Sequence, residues 1–85
     1  METQIGRISH FYDRICVAVL ALTDTIALGD QVHITGHATD LVQEVTSLEI
    51  EHEKVSGAGP EDEVALKVAE PVRKGDKVFK IIAEA

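Results

Sequence analysis

Apolar and polar positions alternate along most of this chain, and a period of two marks strands with one buried face. The first predicted strand is Ile5-Gly6-Arg7-Ile8-Ser9-His10, where Gly6 predicts a bend or a close backbone approach. Phe11-Tyr12-Asp13 reads as a short turn after it. Arg14 to Leu20 follows as a second strand. Its β-branched Ile15, Val17 and Val19 alternate with smaller but still apolar residues, which predicts cover on both faces. Ala21 to Asp30 reads as a connection, with Thr23-Asp24 and Gly29-Asp30 supplying turn chemistry. Gln31 to Thr35 alternates cleanly, and Gly36-His37-Ala38 makes a tight turn after it.

The stretch from Thr39 to Val55 has two readings. Leu41 and Val45 lie on odd positions, whereas Leu48 and Ile50 lie on even ones, so a single strand would have to change its buried face. A bulge at Thr46-Ser47 accomplishes that change. The rival is a helix, because Leu41, Val42, Val45 and Leu48 also fit a helical stripe that Thr39-Asp40 could cap. Two strand segments are preferred, since β-branched and polar residues alternate from Ser47 to His52. Ser56 to Asp62 is a loop, Glu63 to Ala69 a strand, Glu70 to Asp76 a turn and Lys77 to Ile82 the last strand. The predicted core comprises Val17, Val19, Val32, Ile34, Leu66, Val68 and Val78. Six or seven short strands at this spacing predict an all-β fold, a small closed antiparallel barrel occupying the single domain 1–85, with its core between about residues 5 and 82.

A short pattern recurs at the strand openings. Gly29-Asp30-Gln31-Val32 and Gly75-Asp76-Lys77-Val78 share Gly-Asp-x-Val. A flexible Gly turns the chain, and the Asp carboxylate accepts backbone N–H bonds.

The order of these pieces resembles the second domain of translational GTPases such as elongation factor Tu. The matching residues are Ile5-Gly6-Arg7-Ile8, Val17-Ala18-Val19, Leu28 to Ile34, Val45-Thr46-Ser47-Leu48 and Lys74 to Phe79. A closer likeness is to the C-terminal barrel domain of the collagenase-like peptidase family. A similar Ile-Gly-x-Ile/Val opening leading to His-Phe/Tyr-Tyr-Asp occurs there, matched by Ile5 to Asp13, as does a Gly-x-x-Thr-Asp segment, matched by Gly36 to Asp40. The resemblance covers roughly residues 5 to 82 through short motifs. It implies the translation-protein β-barrel. In the translational GTPases this domain binds the tRNA acceptor end or ribosomal RNA. In the collagenase-like family it is an appendage to a separate catalytic domain. No Gly-x-x-x-x-Gly-Lys-Ser/Thr phosphate loop occurs in this chain, and Gly59 to Val64 departs from the family pattern by being acidic. That acidic loop argues against RNA contact on its side of the barrel.

Composition narrows the function classes. Fifteen acids against eight bases give a net charge of −7, which disfavours non-specific contact with phosphate backbones or anionic membranes. The longest apolar run, Ile15 to Leu22, is too short to cross a bilayer as a helix. Met1-Glu2-Thr3-Gln4 lacks the pattern of a secretory signal, and lone Cys16 offers no internal disulfide, so a cytoplasmic, reduced setting is expected.

Few residues point to chemistry. His10, His33, His37 and His52 have no companion ligands at a familiar metal spacing, and Cys16 has no local base. Glu49, Glu51 and Glu53 would share one solvent-facing strand face. No catalytic residue, metal or cofactor is therefore expected. The expected binding residues are Phe11, Tyr12 and Arg14, an aromatic turn beside a base, with Arg73, Lys74 and Lys77 as a second, basic patch. The expected role is a stand-alone binding module. Its partner is RNA or a ribonucleoprotein, in translation or RNA modification, or else a separately encoded collagenase-like catalytic protein. Neither DNA nor a membrane is an expected partner.

Overall fold

The computed structural model describes residues 1–82 as an all-β domain. Six strands have five residues or more: β1 (Glu2–Tyr12), β2 (Val17–Leu22), β4 (Gln31–Gly36), β5 (Thr39–Glu44), β9 (Glu63–Lys67) and β10 (Lys77–Ile81). Four two-residue strands complete the set: β3 (Ile26–Ala27), β6 (Glu49–Ile50), β7 (Glu53–Lys54) and β8 (Gly57–Ala58). Eight of the ten form one antiparallel sheet in the order β5-β4-β10-β1-β2-β9-β6-β7, and β3 pairs with β8 separately. The sheet curls around its core. Gln43 on edge strand β5 reaches across the seam, donating to Lys67 O at 2.9 Å and accepting from Ala69 N–H at 2.8 Å. The seam is thus bridged by a side chain, while backbone ladders hold the other junctions.

The core is one cluster that includes Ile5, Ile8, Leu20, Ile34, Leu48, Leu66 and Val78, all nearly or fully removed from solvent. Burying side chains of this size stabilises the fold by about 1.5–3 kcal/mol each relative to exposure. Val32, Ile34, Leu66, Val68 and Val78 are buried as predicted. Val17 and Val19 are not. The inward face of β2 is Ala18, Leu20 and Leu22, and the two valines point outward, half-buried. Both faces of β2 are apolar, so alternation alone could not show which faces the core.

β1 is longer than the pattern suggested, because Phe11 and Tyr12 extend the strand instead of turning. It absorbs two register shifts, one between Gln4 and Gly6 and one between Ile8 and His10. Asp13 to Cys16 forms the turn, so Arg14 and Cys16 lie in a hairpin loop and not on the second strand. Between Thr39 and Val55 there is no helix. β5 ends at Glu44, an irregular passage carries buried Val45 and Leu48, and a hairpin follows in which Glu49 faces Lys54 and Ile50 faces Glu53. Glu51 and His52 form its turn at φ 49° and 67°, so Glu49, Glu51 and Glu53 do not line one face.

Three corners of the barrel are built alike. At the first, the Asp30 carboxylate accepts Ala27 N–H at 2.9 Å, and Asp30 N–H returns a bond to Ala27 O at 3.1 Å. Gly29 N–H donates to Val45 O, and Val45 N–H donates to Asp30 O. At the third, Asp76 makes the same pair of bonds with Arg73, and Gly75 and Asp76 clasp Ile8 in the same way. The second corner is hidden in the sequence. The Asp62 carboxylate accepts Gly59 N–H at 3.0 Å, Asp62 N–H donates to Gly59 O, and Glu61 and Asp62 clasp Leu22. The residue before the Asp is left-handed in all three, with φ 92° at Gly29, 93° at Gly75 and 73° at Glu61. Gly is at ease there, whereas a residue with a Cβ is disfavoured by about 1–2 kcal/mol.

Candidate functional site

A groove of about 730 Å³ lies on the outer face of β2, β9 and β6. Its floor is set by ladder register: Val19 faces Ala65, and Ala65 faces Glu49. Val17, one pleat away on β2, extends the floor toward the β1–β2 turn, and Ile50 extends it along β6. Tyr12 and Ile15 form the wall at the turn, and they stay 49% and 61% exposed, which is costly for large apolar side chains with nothing over them. Tyr12 also packs beside His10, with ring centroids 4.4 Å apart.

The rim is acidic. Glu49, Glu51, Glu61, Asp62 and Glu63 line the groove together with His52, and neither Lys nor Arg does. Asp62 is held by Gly59 N–H, and Glu63 accepts a hydrogen bond from Ser9 Oγ at 3.2 Å. Among the described residues, Glu49, Glu51 and Glu61 have no side-chain hydrogen bond or ion pair. Every non-glycine residue with a left-handed backbone in the described chain stands at this groove: Glu51, His52 and Glu61 line it, and Cys16 lies between the lining residues Ile15 and Val17. Such positions cost about 1–3 kcal/mol each and persist only where the surrounding structure holds them.

The residues expected to bind fall into two separate places. Tyr12 lines the groove, Phe11 turns inward against the core and Arg14 is exposed on the β1–β2 turn. Arg73, Lys74 and Lys77 lie at the third corner, exposed, with Lys77 directly opposite Arg7 on β1. Arg7 and Tyr12 are five residues apart on one strand, so the patches are separated by about 15 Å. Sequence reading missed Arg7 as a member of the basic patch, and Ile50, His52 and Glu61 as members of the groove. The recurrence of Asp-x-Val in Glu61-Asp62-Glu63-Val64 was the available signal for Glu61.

No histidine gathers a metal set. Among the described residues, no group of three or more His, Cys, Asp and Glu side chains is placed to hold a metal ion. His33 does something else. Its Nδ1 lies 3.0 Å from Glu2 and its Nε2 2.6 Å from Asp40, so the imidazole bridges β1 and β5 from β4. The Asp40 hydrogen bond, then that of Glu2, raises its pKa above the ordinary 6.5 against the opposing effect of burial. Cys16, expected mid-strand, is half-buried in the turn with Sγ near Asp13 O.

Comparison with known proteins agrees with the fold. No protein-family model matches the chain. The C-terminal domain of a Geobacillus thermoleovorans protein described as a U32 peptidase superposes with a TM-score of 0.86, covering 92% of this chain and 91% of that domain at 18% identity. Its selenomethionine variant gives 0.85 at the same identity, covering 89% and 96%. These likenesses show the fold of that domain. In sequence, the chain is 36% identical over 79 residues to an uncharacterized protease of Methanocaldococcus jannaschii. The match takes in 92% of this chain but 19% of that protein, so what the chain shares is a fifth of a much longer relative.

Proposed function

We propose that this chain is a non-catalytic docking domain of the collagenase-like peptidase family, which binds a protein surface through the acid-rimmed groove and serves a catalytic unit outside these residues. The carrying observation is the groove itself: an apolar floor with Tyr12 and Ile15 uncovered, lined also by five carboxylate residues. An uncovered apolar surface with a polar rim is the anatomy of a protein interface. The likeness to a domain that is one part of a peptidase supports the division between docking and catalysis. Of the expected binding residues, Tyr12 contributes directly, Arg14 borders the site and Phe11 supports Tyr12's strand from inside.

RNA is the second reading, and Arg7 opposite Lys77 is the observation that favours it. Like charges directly across a ladder repel, and an anion between them relieves the repulsion. Arg73 and Lys74 extend that patch. The groove argues the other way, because its carboxylates repel phosphates. The test mixes the purified chain with a collagenase-like catalytic domain that carries no barrel, and separately with single-stranded RNA. A complex with the catalytic domain that is lost in Tyr12→Ala/Ile15→Ser and kept in Arg7→Gln/Lys77→Gln is the expected result. RNA binding with a steep salt dependence, lost in Arg7→Gln/Lys77→Gln and kept in the groove variant, would replace this reading with the RNA-linked one.

A further inference from the structure

The three corners share one hydrogen-bond scheme, but only two of them have the residue the scheme favours. Gly29 and Gly75 take the left-handed position without strain, and the corner at the groove places Glu61 there instead. Glycine would suit the same backbone at that corner. The glutamate therefore brings something glycine lacks, namely a carboxylate on the groove rim with no ion pair among the described residues. Glu51, another lining residue, also sits at a left-handed position, φ 49°, with its carboxylate unpaired in the same sense. The floor of the groove is apolar: Val17 and Val19 stand two residues apart on β2, with Ala65 across from Val19, and Glu63 marks the acidic end opposite Ala21. Alternate side chains of an extended polypeptide repeat about every 6.4–6.8 Å, the same step as from Val17 to Val19.

We infer that the groove receives an extended polypeptide segment whose apolar side chains rest on Val17 and Val19 while Lys or Arg side chains meet the rim, and that Glu61 is a specificity-determining residue for those cations. The inference rests on the docking reading above and specifies its partner. Apolar contact supplies the seat. The carboxylates select cationic flanks and exclude acidic segments, the usual division between affinity and specificity at charged rims. The neighbouring cations Arg14, Lys67 and Lys54, the last opposite Glu49 on β7, stand outside the lining, so the lining itself carries one sign of charge apart from His52. A nucleic acid or an anionic bilayer lacks the cations this rim calls for.

The probe is a fluorescein-labelled heptapeptide of alternating Lys and Leu, titrated with the whole chain and followed by anisotropy. Two control peptides replace every Lys by Glu, or every Leu by Ser. The Lys–Leu peptide should bind, and each control should bind roughly tenfold more weakly or worse. Glu61→Gly is the decisive variant, because the sister corners show that this backbone accepts glycine. It should melt at the same or a higher temperature while binding the Lys–Leu peptide several-fold more weakly, and Glu61→Gln should reproduce the weaker binding. Equal binding of all three peptides, or full-strength binding by Glu61→Gly, would overturn the inference. If the catalytic domain docks through Tyr12 and Ile15 but the Lys–Leu peptide does not bind, the segment inference falls and the docking reading stands. If neither binds, both fall.

Discussion

The corner at Asp76 and the corner at Asp62 carry the same bonds and differ in what they face. Asp76 is buried, its partner Ile8 lies in the core, and the turn before it uses a glycine at φ 93°. Asp62 is exposed, and the turn before it holds a glutamate at φ 73° on the rim of the groove. The first corner spends its residues on the fold. The second accepts backbone strain and holds a charge with no side-chain hydrogen bond or ion pair among the described residues. The same contrast extends to the surfaces around them. Near β4 and β10, charges find partners: His33 between Glu2 and Asp40, and Lys80 beside Thr25 and Asp30. Around the groove, carboxylates and apolar side chains stand open to solvent together. Non-glycine backbone strain is gathered on the groove side of a small barrel, where Tyr12 and Ile15 are also uncovered, while Leu28, Val42 and Ile82 are exposed elsewhere.

Measurements on paired variants can break or sharpen this contrast. The largest difference should lie within β2, the strand that ends at the groove corner. Leu20→Ala should destabilise by about 2–5 kcal/mol in urea unfolding, because it empties the core. Val19→Ala, on the groove side, should cost about 1 kcal/mol or less, and equal losses would mean that the outer face is structural. Asp76→Ala should come next, at about 1.5–3 kcal/mol for a buried carboxylate bonded to backbone N–H, against about 1 kcal/mol or less for exposed Asp62→Ala. The position before each Asp should then give opposite signs. Gly75→Ala should lose about 1–2 kcal/mol to left-handed strain, while Glu61→Gly should gain some 0.5–1 kcal/mol. A loss of stability in Glu61→Gly would show that the glutamate serves the fold after all.

The smallest effect concerns pH. The folded-state pKa of His33 is raised above 6.5, first by its hydrogen bond to Asp40 and then by that to Glu2. A raised pKa means that the folded state holds the proton more tightly than the unfolded chain. The stabilisation is therefore fully present below pH 6.5 and is lost as pH rises through the folded-state value. Urea midpoints should fall over that window in the parent chain and in Glu61→Gly, and the slope should flatten in His33→Gln. A slope that persists in His33→Gln would assign the pH dependence to another group.

Much of the architecture could be read from residue order. Alternation in Gln31–Thr35 and Glu63–Lys67 marked β4 and β9, because each has one set of large apolar residues and a second set that is polar or, at Ala65, small, and so one preferred way to face a core. The two Gly-Asp-x-Val segments marked two corners, because a left-handed glycine followed by a capping carboxylate is a local device. β2 failed as a guide to its own facing, since both its faces are apolar and packing made the choice. Phe11 and Tyr12 failed as a turn, since pairing with Ala18 and Val17 carried the strand to its end. Of the site, Tyr12 was legible as an exposed aromatic, but its company was not. Val19, Ala65 and Glu49 are distant in sequence and meet only through the register of three strands.

The sequence by itself determined that the chain makes short antiparallel strands around a branched-aliphatic core, because period-two patterning and turn chemistry act over neighbouring residues. Tertiary structure decided which face of β2 became a groove floor and that Glu61 occupies a corner built for glycine. It also decided that Arg7 joins Lys77 while Tyr12 stands apart from both. Those outcomes depend on strand order and register, which follow from how the whole sheet closes over one core and from no local run of residues.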